Sequence, residues 1–147
     1  MLIYVKPYIM ATMTRKIKPL PLDLLFRTLA DPTRLRLLNL IADKEICVCY
    51  FVEILKISQP KISRHLAYLR RAGIVAARRQ GRWMHYRLVT PRNMIVSAIL
   101  KETLAHLRQM PEMGEDLASL ESRCCKPDTF AVIKQAPQPL VLPLSAK

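Results

Sequence analysis

Leu22, Leu25, Phe26 and Leu29 recur at helical spacing, and Ala30-Asp31-Pro32 then breaks the run and restarts it. Asp31 is a good N-cap and Pro32 suits the first helical position. A second helix is therefore predicted from Pro32 to about Ala42, with Leu35, Leu38 and Ile41 on its apolar face. Beyond Asp43-Lys44-Glu45, the positions of Phe51, Val52 and Leu55 predict a short helix from about Val48 to Lys56. A three-residue break, Ile57-Ser58-Gln59, leads to the next helix, capped by Ser58 and stopped at Gly73. Two short helices joined so tightly make a helix-turn-helix. In the second, Ile62, Leu66 and Leu69 must face inward. Lys61, Arg64, His65 and Tyr68 then face outward together, as the surface a recognition helix lays in the major groove.

The period changes next. Ile74 to Arg79 and Trp83 to Val89 are β-like segments around Gln80-Gly81, a two-residue connection in which glycine supplies the positive φ. Arg78, Arg79 and Arg82 decorate this hairpin, and a basic hairpin directly after a recognition helix is a wing. From Pro91 to about Met110 a long helix carries Val96, Leu100, Leu107 and Met110, with a second apolar row at Ile95, Ala98 and Ile99. Two rows imply two packing partners, the domain's own core and a second subunit. Glu112 to Glu121 predicts a further short helix. The chain thus divides into an N-terminal arm (1–20), a winged helix-turn-helix with its dimerisation helix (21–110), an extension carrying a cysteine pair (111–125) and a Pro-rich, poorly ordered tail (126–147). The fold class is mainly α with a small β-hairpin wing, and dimeric.

Charge sharpens this picture. The chain of 147 residues carries a formal charge of +13, yet eleven of its basic residues and none of its acids fall between Ile54 and Lys101. A basic block that coincides with a predicted recognition helix and wing points to double-stranded DNA as partner. No uncharged apolar run approaches the roughly 18 residues of a membrane span, and the first ten residues lack a signal-peptide core. A cytoplasmic protein without a membrane partner is expected. Cys47-Val48-Cys49 and the adjacent Cys124-Cys125 do not form a secreted disulfide framework either, since such close pairs bridge poorly.

Three stretches together resemble a known family: Leu29-Ala-Asp-Pro-Thr-Arg-Leu-Arg-Leu-Leu38, Ile46-Cys-Val-Cys49, and Ser58-Gln-Pro-Lys-Ile-Ser-Arg-His-Leu66 with Gln80-Gly-Arg-Trp83 and His85-Tyr86. They are similar to the ArsR/SmtB winged-helix repressors, the arsenic-sensing branch in particular, over about Leu24 to Leu107. The resemblance implies a homodimer paired through its first and last long helices, holding operator DNA until As(III) or Sb(III) arrives as inducer. No organic cofactor is implied. Gln59, Lys61, Ser63, Arg64 and His65 are the candidates for base and phosphate contacts, with Arg78, Arg79 and Arg82 on the DNA backbone. His65 also fits a helix surface without a role, and Trp83 and Tyr86 fit strand packing better than base stacking.

The same resemblance exposes a gap in the thiol site. Relatives with the fullest cysteine box carry a third cysteine three residues after the second, where this chain has Val52. Cys47 and Cys49 suit a soft ion, because a helix N-terminus depresses a thiol pKa and thiophilic ions select thiolate. They are one ligand short of a trigonal As(III) site. Either Cys124 or Cys125, from the same or the partner subunit, would complete it; the pair also fits a bystander in a flexible tail, or an ion site of its own. The family's zinc site on the last long helix is absent, since Asn93 and Ile95 replace its Asp-x-His and His106 is followed three residues later by Gln109. An alternative effector within the same fold is an oxidant, or Cd(II) or Pb(II). An enzyme is not expected: a cysteine-based arsenate reductase needs an arginine six residues after its nucleophile, and those positions hold Glu53, Leu55, Phe130 and Ala131.

Overall fold

The computed structural model describes residues 21–125, 137 and 140–141. Helix α1 (Pro21–Leu29) ends before Asp31, whose carboxylate accepts from the Arg34 N–H at 2.9 Å and starts α2 (Pro32–Ile41). The cap and the proline act as the sequence predicts. A short strand, β1 (Lys44–Cys47), follows and was not predicted; its four residues are too few for a period to show. Cys47 ends this strand and is the N-cap of α3 (Val48–Leu55). The turn to α4 (Gln59–Arg71) passes through Lys56 at φ 55, the left-handed conformation that closes α3. Ser58 has the extended backbone of an N-cap, but its side chain makes no capping hydrogen bond.

Gly73 at φ 75 stops α4, and the wing strands β2 (Val75–Gln80) and β3 (Trp83–Leu88) pair antiparallel from Val75↔Leu88 to Gln80↔Trp83. The turn is therefore Gly81-Arg82, one residue later than predicted, with Gly81 at φ 59 in its first position. β3 pairs in turn with β1 through Ile46↔Tyr86 and Cys47↔His85. A two-residue strand, β4 (Leu140–Val141), covers the other edge of β1, giving the order β2-β3-β1-β4. Apart from this strand and Pro137, the predicted tail lies outside the described residues, as does the N-terminal arm.

Helix α5 (Met94–Leu107) begins later than predicted, because the Asn93 side chain caps it by accepting from the Ile95 and Val96 N–H groups at 3.0 and 3.1 Å. Val96, Leu100 and Leu107 are buried, whereas Met110 is exposed. It falls past the helix end, so it leaves the row that spacing assigned to it. Helix α6 (Pro111–Cys125) is longer than the predicted 112–121 and enters the core through Met113 and Leu120. The core gathers Leu37, Leu38 and Ile41 of α2, Phe51 of α3, Ile62, Leu66 and Leu69 of α4, and Ile46 of β1. Burial of these apolar groups fixes α4 against α2 and α3, and so fixes which face of α4 is free.

Candidate functional site

The thiol site follows from the junction of β1 and α3. Cys47 is fully buried and Cys49 half-buried, and the Cys49 thiol donates to Cys47 Sγ at 2.9 Å. That contact, with further help from the Cys49 and Val48 N–H groups at the start of α3, draws the Cys47 thiol down to about 7 against the opposing effect of burial. The same hydrogen bond holds the proton on Cys49 and pushes its thiol up. Near neutrality a share of Cys47 is thus thiolate, with a second sulfur in contact. Cys49→Ala removes the donor and should raise the Cys47 titration midpoint toward the ordinary cysteine range of about 8.5. Thiolate ultraviolet absorbance against pH measures this, and an unchanged midpoint would contradict it.

Val52 lies one turn beyond Cys49 and packs against the core, adding no donor. Among the described residues, no three histidine, cysteine or acidic side chains are grouped to hold a metal ion. Cys124 and Cys125 are the last residues of α6, and their side chains lie outside the described residues. Helix α6 is anchored to α2 and α3 along its length. Arg36 of α2 donates through Nε and Nη2 to the two carboxylate oxygens of Asp116, at 2.7 Å each. Asn39 Nδ2 donates to the Met113 carbonyl at 2.9 Å. At its far end, Arg123 Nη1 donates to Glu53 Oε1 at 2.5 Å. Glu53 is one turn of α3 from Cys49, so the backbone of the C-terminal cysteine pair follows directly on a residue docked to the thiol-bearing helix.

The outward face of α4 is narrower than spacing predicts. Gln59, Lys61 and Arg64 are exposed and Ser63 is half-buried. His65 turns back, with Nδ1 3.5 Å from Asp31 Oδ1, and Tyr68 lies beneath Arg34, whose Cζ is 4.4 Å from the ring centroid. In the wing, Arg79 Nε donates to the Gly81 carbonyl at 3.0 Å, and the Arg82 guanidinium lies over Trp83 at 5.0 Å. Arg78 is the exception: its Nε and Nη2 both donate to Glu45 Oε1, at 3.0 and 2.5 Å. Glu45 and the buried His85 are site neighbours that sequence reasoning missed. A strand reading of Lys44–Cys47 would have put Glu45 and Cys47 on one face, two residues apart.

The helix-turn-helix and wing have counterparts among known proteins. The profile described as bacterial regulatory protein, arsR family, matches residues 31–77, from the cap of α2 into β2. The arsenic resistance transcriptional regulator ArsR2 of Pseudomonas putida is 48% identical over 108 residues, covering 68% of this chain and 94% of that relative. The chain belongs to the arsR family. Another relative of this arsR-family chain, the arsenical resistance operon repressor of Escherichia coli, is 53% identical over 70 residues, covering 47% of this chain and 59% of that relative. The alignment thus spans about three fifths of the E. coli repressor's length. Among solved structures, reduced HlyU from Vibrio cholerae superposes with a TM-score of 0.52 at 31% identity, covering 61% of this chain and 90% of that one. The fold is a winged helix, and the family consists of transcriptional regulators rather than enzymes. Among the described residues no helix is long and apolar enough to cross a membrane.

Proposed function

We propose that this arsR-family chain is a cytoplasmic, metalloid-responsive repressor that binds operator DNA as a homodimer and lets go when its thiols take As(III) or Sb(III). The observation that carries this reading is the 2.9 Å contact between Cys47 and Cys49 at the start of α3, the first helix of the helix-turn-helix. Cys47 and Cys49 supply two donors, and either Cys124 or Cys125 the third. Support for the last comes from the docking of Arg123 on Glu53. A bound thiophilic ion supplies the link between these sulfurs; the chain's part is to move α3 and, through its tight turn, α4. An inducer acts only through different affinities for the two states, with couplings typically of about 1–3 kcal/mol.

For the dimer, support comes from α1 and α5, which pack together and leave Phe26, Met94 and Ile95 at 56%, 86% and 59% exposure. A pair of recognition helices would then meet half-sites about one helical turn apart. Gln59, Lys61, Ser63 and Arg64 on α4 and Arg79 and Arg82 on the wing make up the DNA surface, with His65, drawn toward Asp31, and Arg78, held by Glu45, at its margin. Within it, exposed Lys61 and Arg64 are the strongest candidates. Arg64→Ala should cost about 1–3 kcal/mol and relax sequence preference, whereas Lys61→Ala should weaken all duplexes and lower the salt slope by about 1. Affinity at several salt concentrations, on a selected and a scrambled duplex, separates the two.

The deciding experiment is fluorescence anisotropy on a duplex selected by the protein from a random pool, with arsenite, antimonite, cadmium and peroxide added in parallel. Release by arsenite or antimonite supports the reading; continued binding with both sinks it. A second reading, an oxidant-responsive repressor, rests on the same sulfur contact, since a thiol with a lowered pKa can be oxidised by peroxide to a sulfenic acid. Release by peroxide alone would favour it.

A further inference from the structure

The face of the sheet that carries Cys47 also carries a row of polar groups. Directly opposed residues in antiparallel strands point to the same side. Cys47 of β1 opposes His85 of β3, and His85 opposes Arg78 of β2. Glu45, two residues before Cys47 on β1, shares this face and is 5% exposed. Strand β3 lies between β1 and β2, so the backbone of the wing's outer strand makes no ladder with the thiol-bearing strand. The Arg78 side chain reaches across β3 to it, with Nε and Nη2 on Glu45 Oε1 at 3.0 and 2.5 Å. Its remaining nitrogen, Nη1, donates to Gln80 Oε1 at 3.2 Å, beside the wing turn.

We propose that the Glu45–Arg78 pair is a positioning element that ties the wing to the thiol site and passes a movement of Cys47 on to β2. This rests on the reading above, that ligation at Cys47 and Cys49 is what releases DNA. Three features favour transmission over a bystander ion pair. First, Glu45 is a buried carboxylate, and separating it from its guanidinium leaves a charge without compensation, so a shift of β1 carries Arg78 along instead of breaking the contact. Second, His85, the residue between, is 2% exposed and among the described residues its Nε2 has no hydrogen-bond partner, so this nitrogen does not compete for Glu45. Third, Cys47 is both the last residue of β1 and the cap of α3, so its displacement reaches the recognition helix and the wing together.

Position between two sites is not coupling, and the test must measure coupling itself. Full-length wild type, Glu45→Gln, Arg78→Gln and the double variant are compared by anisotropy on the selected duplex, with and without arsenite. Gln at 45 keeps the shape and an acceptor oxygen. Wild type should lose roughly 5- to 150-fold in duplex affinity on adding arsenite. Each single variant should lose less than about threefold, and the double variant no differently from either single, as for two residues acting as one unit. Bound arsenite per chain, measured by mass spectrometry, should stay at the wild-type value in all four proteins. A purely structural pair would change the unfolding midpoint and leave the fold-release intact, and that result overturns the proposal. So does an Arg78→Gln protein weakened equally with and without arsenite, which marks a plain phosphate contact. If wild type itself is not released by arsenite, the proposed function fails and this inference with it; release in wild type with unchanged ratios in the variants refutes the inference alone.

Discussion

Cys47→Ser should bind the selected duplex as tightly as wild type and no longer be released by arsenite. The fold tolerates the change. Cys47 is buried at the end of β1, serine is close to it in size, and at the N-cap of α3 a serine hydroxyl is among the best capping groups. What is lost is the soft donor: a hydroxyl neither ionises near neutrality nor suits a thiophilic ion. The whole inducer effect, on the order of 5- to 150-fold in duplex affinity, should vanish. Cys49→Ser should behave alike. Retained release in either variant would remove the Cys-x-Cys box from the sensor, and lost duplex binding without arsenite would make it a folding element.

Asp116→Ala should undock the C-terminal helix. It removes both acceptors of the Arg36 guanidinium, whose side chain is 25% exposed, while Asp116 is 7% exposed. Hydrogen bonding to Asp116 is the main cause that raises the Arg36 pKa, so that cation is held by this carboxylate first and by Glu112, 3.5 Å away, second. The loss should cost about 2–4 kcal/mol, read as a lowered urea midpoint. If α6 delivers the third thiol, arsenite release should be lost while duplex binding survives, because α4 is held by α2 and α3 through Ile62, Leu66 and Leu69. Cys124→Ser/Cys125→Ser should give the same loss of release with no change of midpoint. Full release in the double serine variant would end the role assigned to that pair.

Much of this arrangement was legible from local chemistry. Asp31-Pro32 marks the start of α2 because cap and proline act within one turn, and Ile62, Leu66 and Leu69 mark the inner face of α4 because helical spacing decides it. What escaped depends on contacts distant in sequence. Strand β1 exists because β3 and β4 pair with it, and Glu45 meets Arg78, thirty-three residues away, only once strand register is set. His65 and Tyr68 follow the outward spacing of Arg64, yet Asp31 and Arg34 draw them inward. Nor does spacing foretell that α6 docks, since its anchors, a guanidinium and an amide on α2, are distant in sequence.

One ion should be shared by Cys47, Cys49 and a cysteine of the C-terminal pair. X-ray absorption on the arsenite complex of the full-length protein counts the sulfurs directly. Three sulfurs per arsenic in wild type, falling to two in Cys124→Ser/Cys125→Ser, is the predicted result. Two sulfurs in wild type, or three that persist in the double variant, would contradict it.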